Sequence, residues 1–145
     1  VTLSTSDIKR MQEMARTGFV YLFISLFCVL FGAVYEIFSH EVYSYFMLYA
    51  FVFPLVGGVL PFFGMAFSSM PVPNRATRNL YHSGITALTT GFLFEGALEI
   101  YGTTNRLVLV YWILGILFIL MAIFIYCLFL GKTKCSKMEN DNLDL

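Results

Sequence analysis

Four long apolar runs dominate this chain and constrain its fold more than any other feature. They occupy positions 17–38, 42–67, 80–101 and 107–130, with short polar gaps between them. A helix rises about 1.5 Å per residue, so roughly 20 apolar residues cross a ~30 Å hydrocarbon core. Each run is long enough. Backbone groups in lipid must be paired within the segment itself, which predicts helices rather than strands. Composition agrees. Hydrophobic residues make up 59% of the 145 positions and charged residues 12%. Soluble domains usually hold about 45–50% and about 25%. A soluble core of this size has no room for so much apolar surface, whereas a lipid bilayer solvates it directly. The expected fold is an all-α integral membrane protein, a four-helix up-down transmembrane bundle forming one domain over 17–131.

The gaps carry the turn and charge signals. The first holds Ser39, His40 and Glu41, the second Pro71 and Pro73, and the third Gly102 to Arg106. Lys9, Arg10 and Arg16 precede the first run, Arg75 and Arg78 sit in the second gap, and Lys132, Lys134 and Lys137 follow the last run. An up-down path puts those eight on one side and leaves Arg106 alone on the other. Basic residues collect on the cytoplasmic side, so both termini are expected there, in a multi-pass protein of the cell membrane. Tyr35, Tyr43, Tyr45, Tyr101, Tyr111 and Trp112 fall at the opposite ends of the runs, where an aromatic belt is expected.

Residues 1–16 form a polar lead. Ser6 and Asp7 are capping residues followed by helix formers, which predicts a helix that enters the first run. That run is too long for a signal-peptide core and has no small-residue cleavage pattern after it, so it is expected to be retained. Residues 132–145 form a polar tail, expected to be mobile. Cys28, Cys127 and Cys135 form no CxxC pair, which argues against a disulfide framework or a zinc site. Cys135 lies where palmitoylation occurs, but a free thiol is the expectation. Net charge is zero, so no field draws nucleic acid.

The third run is the most polar. On a helical wheel Tyr81, Gly84, Leu88, Gly91, Glu95 and Glu99 share one face, Ser83, Thr86 and Thr90 a second, and His82 and Thr89 a third. Little apolar face remains for lipid, which predicts a helix enclosed by its neighbours or by an oligomer. The fourth run is apolar all round and is expected to face lipid. Gly84 and Gly91, with Gly18, Ser25 and Gly32 on the first run, make small-residue seams suited to close helix packing. Two weak internal registers relate the first and third runs. One aligns Glu36 with Glu99, in the stretches 32–38 and 96–101 that end the two runs. The other matches Ser25, Gly32 and Glu36 to Gly84, Gly91 and Glu95. Either fits a tandem repeat of two helical hairpins.

Glu95 is the sharpest chemical signal. It precedes Tyr101 by six residues, about 9 Å inside the end of its run. A carboxylate at that depth costs about 2.5 kcal/mol or more unless it is paired, wet or protonated. It is the leading candidate for a proton- or cation-binding group. Glu36, Glu99 and His40 lie nearer the surface and complete a candidate ion- or metal-binding set. The competing expectation is that Glu99 pairs with Arg106 while Glu36 and Glu41 are solvated. The carboxylate spacing lacks the ExxH partner of di-iron bundles, and no metal or other cofactor is expected. Tyr81 and His82 are further ligand candidates, with His82 read chiefly as an interfacial hydrogen-bonding group. Pro54, Gly57, Gly58 and Pro61 interrupt the second run on one stripe, as candidates for a kink or hinge.

No nucleophile elbow, phosphate loop, HExxH or CxxCH motif is present. The leading expectation is therefore not an enzyme. It is a membrane binding or accessory protein that packs with a second copy of itself or with another membrane protein. A small proton- or cation-coupled transporter using Glu95 is the alternative, and a metal-dependent membrane enzyme the third.

Overall fold

The structure is a computed structural model that describes residues 5–38, 44–68 and 71–143, the side chains of 6 and 136–143 excepted. It is all-helical over those residues. Helix α1 spans Thr5–Phe38, α3 spans Arg75–Ile100 and α4 spans Val108–Leu143. Between α1 and α3, Tyr45–Phe67 forms one rod, here α2. Three helices are long and apolar enough to cross a membrane, namely Asp7–Phe38, Tyr45–Phe67 and Val108–Cys135. Helix α3 has the length without the hydropathy, because Ser, Thr, His and Glu interrupt it throughout.

The polar lead and the first apolar run form one unbroken helix from Thr5. Helix α4 continues past Gly131 to Leu143. The most apolar window of α4 is only 11% buried, so its girth is left for an apolar solvent.

The rods pack in sequence, α1 on α2, α2 on α3 and α3 on α4, and each pair runs antiparallel. The buried positions of α1 are Met14, Gly18, Tyr21, Ser25, Cys28 and Gly32, alternating by four and three. That spacing makes one straight seam, and α2 lies on it. Gly18 faces Phe63, Tyr21 faces Gly58, and Gly32 faces the Met47 carbonyl. Helix α3 meets α2 through Ile85 at Gly57 and through Gly96 at Met47, then meets α4 through Gly84 at Gly115 and Gly91 at Trp112. A Cβ on Gly84 would lie 2.9 Å from the Gly115 carbonyl oxygen, so the two backbones approach as only small residues permit. In each hairpin the seam faces the helix that follows. No extensive packing joins α1 to α4 among the described residues, so the four rods form an open row rather than a closed ring.

The basic lead and the second gap meet at one end of this row. Arg10 Nη2 donates to the Ser68 carbonyl at 3.1 Å, and Arg78 lies 3.9 Å from Glu13. Tyr126 of α4 donates to the Pro71 carbonyl at 3.0 Å at the same end. At the opposite end α3 stops in a Schellman turn. Gly102 takes φ +69°, its N–H bonds Glu99, and the Thr103 N–H bonds Leu98. Glycine suits this left-handed position because it has no Cβ to clash.

Candidate functional site

Two places hold the residues singled out by sequence. The first is the break in α2. Phe53–Val59 is a π-helical stretch, where the Leu60 N–H reaches back five residues to the Leu55 carbonyl. Pro54 lies in its first turn and Pro61 just beyond its end. Neither has an N–H, so Pro61 leaves the Gly57 carbonyl without its ordinary partner four residues on. Tyr81 of α3 supplies a substitute, its hydroxyl donating to that carbonyl at 2.7 Å. From the other side Ser25 of α1 donates to the Phe51 carbonyl at 3.3 Å. Gly58 has no side chain because the Tyr21 ring occupies that place. Pro54, Gly57, Gly58 and Pro61 thus form a widened turn fastened by both neighbouring helices.

Beside the break, His82 is bound to α1. Its Nδ1 lies 2.5 Å from the Tyr21 hydroxyl. Phe62 of α2 is 3% exposed and stacks on both rings, with centroid separations of 5.7 Å to Tyr21 and 5.1 Å to His82. His82 is therefore half-buried in the α1–α2–α3 contact. The cleft beside it, about 340 Å³, is lined by Arg16, Val20, Tyr21, Ile24 and Thr86 among others.

The second place is the opposite end, around Glu95. Its side chain lines a cleft of about 290 Å³ between α2, α3 and the start of α4. Phe46 and Trp112 form the apolar walls, and Thr104, Asn105 and Arg106 form the rim. Trp112 is half-buried and stacks on Phe92 at 4.8 Å and 12°, where Gly91 leaves space for its indole. Tyr45 and Tyr101 are exposed. The Schellman turn at Gly102 and the bond from the Leu107 N–H to Asn105 Oδ1 fold the third gap back over Glu95. Glu95 makes no ion pair or hydrogen bond with its side chain among the described residues.

The remaining carboxylates do not join it. Glu99 was expected to pair with Arg106, but it accepts a hydrogen bond from Ser44 Oγ at 2.6 Å. Ser44 is 1% exposed and also caps α2 by accepting the Met47 N–H, so it holds Glu99 toward α2 and away from Arg106. Glu36 is half-buried beside Cys28, Gly32 and Met47 in a separate cavity of about 100 Å³, rather than solvated. His40 and Glu41 lie outside the described residues. Among the described residues, no group of three or more His, Cys, Asp or Glu side chains is placed to hold a metal ion. Cys28 is a buried thiol, and Cys127 and Cys135 are exposed thiols.

Of the packing residues, Gly18, Ser25 and Gly32 lie against α2, and Gly84 and Gly91 against α4. Thr89 is buried and returns its hydroxyl to the Ile85 carbonyl. The face bearing Ser83 and Thr86 is exposed, and both hydroxyls bond their own helix, at Asn79 and His82. Sequence reasoning passed over Tyr21, Ser44, Phe46 and Phe62. Tyr21 had a usable signal, the four-three spacing with Gly18 and Ser25. Phe46 and Phe62 had none, since one aromatic in an apolar run reads like any other. No family model, no curated protein and no solved structure matches this chain.

Proposed function

We propose that the chain is a four-span membrane protein with both termini cytoplasmic, and that it serves as a binding or accessory protein. Three rods have the length and hydropathy to cross. Helix α3 lies antiparallel along α4, with Gly84 beside Gly115 and Gly91 beside Trp112. A helix held along a spanning neighbour shares its depth, which supports a crossing for α3 too. The end holding Arg10, Arg16, Arg75 and Arg78 is the cytoplasmic one by the distribution of basic residues.

One observation carries the accessory reading. Helix α3 is covered by α2 and α4 but leaves Asn79, Ser83 and Thr86 exposed at four- and three-residue spacing. A stripe of small polar side chains gains little from acyl chains, whereas another helix packs closely on it and shares its hydrogen bonds. The open row leaves that stripe reachable. The partner is a transmembrane helix of a second copy or of another membrane protein.

Ser83→Leu and Thr86→Leu together test this, because both side chains are exposed and their loss spares the internal packing. Single-molecule photobleaching in dilute liposomes, with chemical cross-linking in native membranes, should show association by the parent chain and its loss in the double variant. A parent chain that bleaches in one step and cross-links to no membrane protein overturns the reading.

A further inference from the structure

The Glu95 cleft has the composition of a receptor for a small organic ammonium ion. A carboxylate without an ionic partner lines a space of about 290 Å³ together with two aromatic side chains, Phe46 and Trp112. Aromatic faces attract cations, and most strongly where water is thinned out. A carboxylate beside such faces attracts an ammonium group in preference to a neutral isostere of the same shape. The cleft is apolar over most of its lining, which disfavours a small hydrated metal ion. At the rim Arg106 presents a guanidinium, with Asn105 and Thr104 beside it. Arg106 makes no ion pair among the described residues. Guanidinium is the usual partner of a carboxylate. One negative group inside and one positive group at the rim match a ligand of the reverse polarity.

We propose that this cleft binds small zwitterions that carry an ammonium group and a carboxylate, the ammonium at Glu95 and the aromatic walls, the carboxylate at Arg106. The cleft lies on a different face from the Ser83 and Thr86 stripe, so this inference and the accessory reading stand or fall separately.

The chain contains a single tryptophan, and it lines the cleft. Its fluorescence is therefore a direct reporter. The full chain in lipid nanodiscs is titrated with glycine betaine as the zwitterion, choline as a cation without the carboxylate, and 3,3-dimethylbutyrate as the isostere without the positive charge. Betaine should change the Trp112 emission saturably, choline should bind more weakly, and the isostere should not bind. Glu95→Gln should weaken betaine by about tenfold or more, through loss of the Coulombic attraction between the carboxylate and the quaternary ammonium. Arg106→Gln lies in an exposed loop outside the helix packing. It should weaken betaine and leave choline as tight or tighter, since a like charge is removed from the rim, which separates loss of the site from loss of the fold. No saturable response to betaine at millimolar concentration overturns the proposal, as does unaltered betaine affinity in Glu95→Gln. Choline binding as tightly as betaine overturns the assignment of Arg106.

Discussion

Gly58 and Gly64 lie six residues apart on α2 and are chemically identical, yet their surroundings differ completely. A methyl group on Gly58 would land on the Tyr21 ring, whose Cβ and Cγ leave no room for it. A methyl group on Gly64 would meet nothing within 4 Å. Overfilling a packed contact costs about 1–3 kcal/mol, whereas alanine in an open helical position is favoured by about 0.5–1 kcal/mol. Gly58→Ala should therefore lower the thermal unfolding midpoint in detergent by several degrees, and Gly64→Ala should hold or raise it. Equal effects would mean that the α1–α2 seam is not closed at Tyr21. The sequence marked Gly58 as special but not why, because a glycine beside proline signals a flexible turn as readily as a close contact. Glu95 was visible for a better reason, a charge within an apolar run being costly wherever it points. Its surroundings were not visible. Phe46 and Trp112 become a wall only through the packing of α2 on α3 and α3 on α4.

At the scale of the element, α2 shows how a helix long and apolar enough to cross a membrane tolerates two prolines. A missing amide in lipid leaves a carbonyl that must find another donor. Gly57 finds the Tyr81 hydroxyl at 2.7 Å. A hinge at this point would have to release that bond together with the weaker one from Ser25 to Phe51. The break therefore acts as a fastening between helices. Removing the hydroxyl by Tyr81→Phe should cost about 1–3 kcal/mol, the penalty for an unpaired buried acceptor. Pro61→Ala restores an amide able to serve Gly57, so Tyr81→Phe should cost much less in that background. A double-mutant cycle on unfolding free energies measures the difference. Additive effects would show that Tyr81 does not replace the amide lost at Pro61. Pro54 and Pro61 mark an interruption in the sequence, and a π-helical stretch lies there in the structure. Sequence analysis could not foresee the fastening, since Tyr81 is 20 residues beyond Pro61 and meets it only after the chain doubles back.

For the whole molecule, the short gaps made antiparallel neighbours legible at once, and the seven-residue spacing of Gly18, Ser25 and Gly32 on α1 pointed to one packed face. What the sequence left open was the order of contacts. A closed bundle would bring α1 against α4, and in the structure each rod packs chiefly on its neighbours in the chain. That order follows from where the glycines lie. Helix α3 spends Gly96 on α2 and Gly84 and Gly91 on α4, and its third face is left with hydroxyls. The polarity that keeps α3 out of the apolar class is thus shared between internal contacts and one open stripe.

The central claim is that α3 crosses the membrane between two spanning neighbours despite its polar girth. Single cysteines at its two flanks test this most directly, in a chain whose three native cysteines are replaced by serine or alanine. Intact cells carrying Asn74→Cys or Thr103→Cys are exposed to a membrane-impermeant maleimide, then labelled again after permeabilisation. The expected result is labelling of Thr103→Cys from outside and of Asn74→Cys only after permeabilisation. Labelling of both from the same side would contradict the account, because a helix with both ends in one compartment does not cross.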